Sequence, residues 1–152
     1  MKLAEALILR ADYQRRLQEL KTRILRNAKV QEGQTPAEDA TIRLAEVERV
    51  AVDLDAIIRQ INATNSSTQL EAGQTLADAL AHRDALKLRH RVYLDLAQEA
   101  TVTQSRLTRS EIRFVSAVNV AQVQSTADAL AREHREIDAR IQEANWLTEL
   151  MV

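Results

Sequence analysis

The chain has 152 residues, enough for one domain with a substantial core, and its formal net charge of -1 exerts no general pull toward nucleic acid or anionic membrane. It holds no cysteine, which removes disulfides, thiolate metal sites and cysteine nucleophiles together. Apolar residues make up 45% but aromatic ones only 3%, so Leu, Ile, Val and Ala must fill the interior; two glycines and one proline favour a few long elements over many short ones.

The first ten residues have no uninterrupted apolar run, because Glu5 breaks it and Arg10 ends it, so no secretory leader is expected. Residues 2–28 form the first expected helix. Leu3, Ala6, Arg10, Tyr13, Leu17, Leu20, Ile24 and Asn27 recur alternately three and four apart, the spacing of a coiled-coil seam. A loop with Gly33 as breaker follows. Thr35-Pro36-Ala37-Glu38 then has the form of a capping box, with the proline at the first helical position.

The second helix is expected to reach residue 65, with Leu44, Val47, Ala51, Leu54, Ile58 and Ile61 in heptad register. Ser66-Ser67-Thr68 and Gly73 mark the next turn, and Thr75 with Asp78 starts a third helix reaching residue 100. Its seam is poorer: Leu76, Ala79, Arg83, Leu86, His90, Tyr93, Ala97. From residue 101 to 118 the helical period lapses, and β-branched alternation suits a short β-hairpin between helices 3 and 4 around Thr108-Arg109-Ser110, or else an irregular packed loop. Asn119 with Gln122 caps a last helix carrying Val120, Val123, Ala127, Leu130, His134, Ile137, Ile141 and Ala144.

These elements predict an all-α fold in one domain, residues 1–152: an up-down four-helix bundle of long coiled-coil-like helices. The competing arrangement is a long helical hairpin whose bundle forms only on dimerisation. Net charge alternates along the chain, +4 over residues 1–36, -5 over 37–78, +3 over 79–118 and -3 over 119–152. Each helix therefore meets a neighbour of opposite sign, which disfavours wrong pairings even though one exposed pair contributes only ~0.2–1 kcal/mol.

No catalytic residue is identified, and an enzyme is not expected. The residues three before His82, His90 and His134 are Ala79, Lys87 and Ala131, so the Glu-x-x-His motif of di-iron bundles is absent and neither metal nor cofactor is expected. Arg10, Arg83 and His90 are polar residues at seam positions. They set register or oligomeric state, or their stems pack while their heads reach carboxylates such as Glu5 or Asp84. Trp146 with Leu147, Leu150 and Met151 forms an apolar end, which docks on its own bundle or serves as an interaction surface. In the up-down arrangement Arg26, Lys29, Arg106, Arg109 and Arg113 gather at one end as a candidate anion site. The alternative is that cations there complement helix dipoles. No stretch approaches the ~20 apolar residues of a membrane span. The expectation is thus a cytoplasmic homo-oligomer with an interaction or assembly role, no nucleic-acid or membrane partner and no lysis, with a small anionic ligand as the alternative.

Several blocks carry a resemblance over nearly the full length. They are Met1-Lys2-Leu3-Ala4-Glu5-Ala6-Leu7, Val30-Gln31-Glu32-Gly33, Ile61-Asn62-Ala63-Thr64-Asn65, Thr75-Leu76-Ala77-Asp78-Ala79-Leu80, Arg109-Ser110-Glu111-Ile112-Arg113 and Gln142-Glu143-Ala144-Asn145-Trp146. Together they resemble a family of small uncharacterised bacterial helical proteins, some of which carry the name septicolysin. The resemblance implies a bacterial helical domain and transfers no active-site residues; the name on some members implies a pore-forming toxin.

Overall fold

A computed structural model describes residues 1–102 and 112–152. Among these, four long helices carry the fold: α1 (Leu3–Arg26), α2 (Ala40–Ser67), α3 (Leu76–Ala100) and α4 (Val120–Leu147). A small antiparallel sheet, β1 (Gln69–Glu71) with β2 (Gln74–Thr75), stands between α2 and α3. Gly73 sits in its turn at φ 82, a left-handed conformation that side-chain-bearing residues rarely adopt. The sequence marks this stretch only as a turn. The hairpin expected around Thr108-Arg109-Ser110 has its centre outside the described residues, and the flanking residues 101–102 and 112–115 belong to no strand.

The chain divides into two compact units, one of Met1–Leu76 with Gln142–Val152 and one of Ala77–Ile141. In the first unit α1 and α2 run antiparallel, as pairing of Arg16 with Glu46 and of Arg23 with Glu38 requires. The seam expected on α1 is the observed stripe: Leu3, Ala6 and Leu20 are buried, and Arg10, Tyr13, Leu17, Ile24 and Asn27 are half-buried. On α2 the stripe passes through Val47, Ala51, Leu54, Ile57, Ile58, Ile61 and Thr64, but Leu44 is exposed. Arg43 and Glu46 take its place on the inner side, because both are held in ion pairs there.

The start of α2 also differs from expectation. Residues 36–39 are not helical; Asp39 is the N-cap and its side chain accepts from the Thr41 amide at 2.7 Å. Glu38, the expected capping glutamate, is diverted: Arg23 and Arg43 hold its carboxylate, and its amide donates to Asn27 Oδ1. Side-chain competition has moved the cap four residues, from Thr35 to Asp39.

Residues 148–151 close the first unit. The Leu3 amide donates to the Thr148 carbonyl at 2.9 Å, the Leu150 amide to the Met1 carbonyl at 2.9 Å, and Lys2 Nζ lies 2.7 Å from Glu149. The Met151 amide donates to Thr64 Oγ1, whose own hydroxyl donates to the Gln60 carbonyl. Thr64 is thereby fully buried without an unpaired hydroxyl.

In the second unit Ala79, Leu86 and Ala97 of α3 and Ala127, Leu130, Ile137 and Ile141 of α4 are buried, at the seam positions the spacing predicts. Asn119 caps α4, its Oδ1 accepting from the Gln122 amide. His82 reaches Glu133 at 3.2 Å and Arg83 reaches Asp138 at 3.2 Å, which sets the start of α3 beside the second half of α4.

Candidate functional site

The densest polar cluster follows from the opposite charges of α1 and α2. Arginines at Arg16 and Arg23, seven residues apart on α1, face Glu46 and Glu38 on α2. Arg16 donates to Glu46 through Nε at 3.1 Å and through Nη2, both to the one oxygen Oε1, whereas Arg23 forks across Glu38, Nε to Oε2 at 3.1 Å and Nη2 to Oε1. Arg43 then bridges the two carboxylates, 3.1 Å from Glu46 and 3.4 Å from Glu38. Three guanidinium groups thus share two carboxylates in a continuous ladder.

The electrostatics follow from those contacts. Hydrogen bonding from Arg16 and then Arg43 holds Glu46 below its ordinary pKa, and hydrogen bonding from Arg23 does so for Glu38. Arg16 and Arg23 are raised in turn, chiefly by their hydrogen bonds to those carboxylates. Carboxylates ionised and saturated in this way are unsuited to general-base chemistry near neutral pH. The ladder is structural.

Arg10 makes the contrast. It lies on the seam of α1 itself, half-buried, and its Nε is closed off from solvent with no hydrogen-bond partner among the described residues. Glu5, its expected partner, instead accepts from the Lys2 amide at 2.7 Å. Arg83 does find the expected Asp84, at 2.9 Å, and Asp138 as well. Partial burial works against its charge, but the two carboxylates prevail and its pKa is raised. His90 is half-buried on α3 beside a shallow concavity of about 520 Å³. Trp146 is exposed, at 56%.

The basic residues divide. Arg26 and Lys29 are exposed at the C-terminal end of α1 and form no ion pair among the described residues. Arg113 is exposed in the segment preceding α4, and Arg106 and Arg109 lie outside the described residues. Among the described residues no three His, Asp or Glu side chains gather as a metal site would require. Spacing along the chain does not single out the contacts of Arg16 with Glu46 or of His82 with Glu133; the alternation of segment charge is the signal that foreshadows them.

The chain belongs to a family of unknown function (DUF6847), whose model matches residues 10–150. It is similar in structure to a functionally unknown conserved protein from Corynebacterium diphtheriae, with a TM-score of 0.93 and 45% sequence identity over 99% of each chain. Comparison with curated proteins gives no match.

Proposed function

We propose that this protein acts by interaction and assembly, as a cytoplasmic homo-oligomer, and not by catalysis. The observation that carries this reading is the set of large apolar side chains left open to solvent, Trp146 and Leu147 on the last turn of α4 foremost. Exposed aromatic anchors are the residues that interfaces favour. The absence of a recognisable reaction centre among the described residues is compatible with the reading and does not carry it. Light scattering over a wide concentration range tests it: an oligomeric mass is expected, and a strictly monomeric one at high concentration ends it.

The second reading is a small anionic ligand held by Arg26 and Lys29 at the C-terminal end of α1. Two exposed cations without an ion pair among the described residues, the nearer one turn from the engaged Arg23, favour it. A thermal-shift screen against phosphates, nucleotides and carboxylates should raise the melting temperature for one class. The effect should vanish in an Arg26→Ala, Lys29→Ala variant.

The likeness to proteins named septicolysin extends, in this proposal, to the helical fold and not to pore formation. Among the described residues no helix is long and apolar enough to cross a membrane. Dye-loaded liposomes should stay intact with the protein at neutral pH; leakage would overturn this part.

A further inference from the structure

We draw no further inference here: the strongest candidate, the exposed apolar stripe of Leu88, Val92 and Leu96 along α3, carries nothing because nothing in the structure shows what covers it.

Discussion

Two kinds of position on α1 present half-buried arginines and differ in what meets them: Arg10 stands on the seam, and Arg16 and Arg23 stand beside it, one residue before Leu17 and Ile24. At Arg16 and Arg23 the facing helix supplies Glu46 and Glu38, and Arg43 links the pairs into a ladder. At Arg10 no carboxylate arrives among the described residues, and a buried Nε is left without an acceptor. Position and partner differ together: the seam site meets no acceptor, and the flanking sites meet carboxylates. An arginine beside the seam thus stabilises this fold where acidic side chains enclose it, and one on the seam carries the desolvation of a charged donor without return.

Breaking the ladder should have the largest effect. Glu46→Lys would place a fourth cation among Arg16, Arg23 and Arg43 and should lower the melting temperature by several degrees, more than the loss of any exposed ion pair. Acid should sharpen the same contrast. Glu38 and Glu46 have depressed pKa values when folded, so their contribution is present above the ordinary carboxylate range and is lost as pH falls through the folded values. The gap in melting temperature between wild type and Glu46→Gln should therefore be full at neutral pH and close on acidification. A gap independent of pH would mean that packing, not charge, held the site.

Arg10→Met should behave in the opposite sense. Removing an unpartnered donor while keeping the stem's volume should leave stability unchanged or raise it by about 1 kcal/mol, measured by chemical denaturation. A clear loss would show that Arg10 has a partner the single chain does not reveal, and would point to the oligomer. The smallest effect belongs to Arg15→Ala. The Arg15–Asp12 pair at 2.6 Å lies on the outer face of the same helix, exposed on both sides, and its removal should stay within about 0.5 kcal/mol.

Much of this fold is legible in the residues. Leu3 through Asn27 and Leu76 through Ala97 mark the inward stripes correctly because a three-four repeat has one physical meaning on a helix. The alternating charge of the segments foreshadows Arg16–Glu46 and Arg83–Asp138, since antiparallel neighbours within a unit must present opposite signs to each other. The departures are as instructive. Thr35-Pro36-Ala37-Glu38 has every local mark of a helix start, yet Glu38 is bound by arginines from elsewhere, and no local rule contains Arg23. Leu44 fits the heptad, but the charged pairs on either side of it turn the helix so that it faces water. The candidate site is less legible still. Nothing in the spacing of Ile112 and Phe114 says that both stand in solvent, and nothing near Arg10 in sequence says that Glu5 is already committed to the Lys2 amide.

The bonds between Leu3 and Thr148 and between Leu150 and Met1 have a consequence for the order of events in folding. Helix α1 can coil early, because its hydrogen bonds are local. The amide of Leu3, at its first turn, has no acceptor within the helix and waits for a carbonyl nearly the whole chain away. Ends so far apart in sequence meet only after most of the backbone is ordered, so these are expected to be among the last contacts to form and the first to open. Amide hydrogen exchange should show it directly, with Leu3 and Leu150 exchanging together and faster than Leu20, although Leu3 and Leu20 are equally buried in the finished molecule.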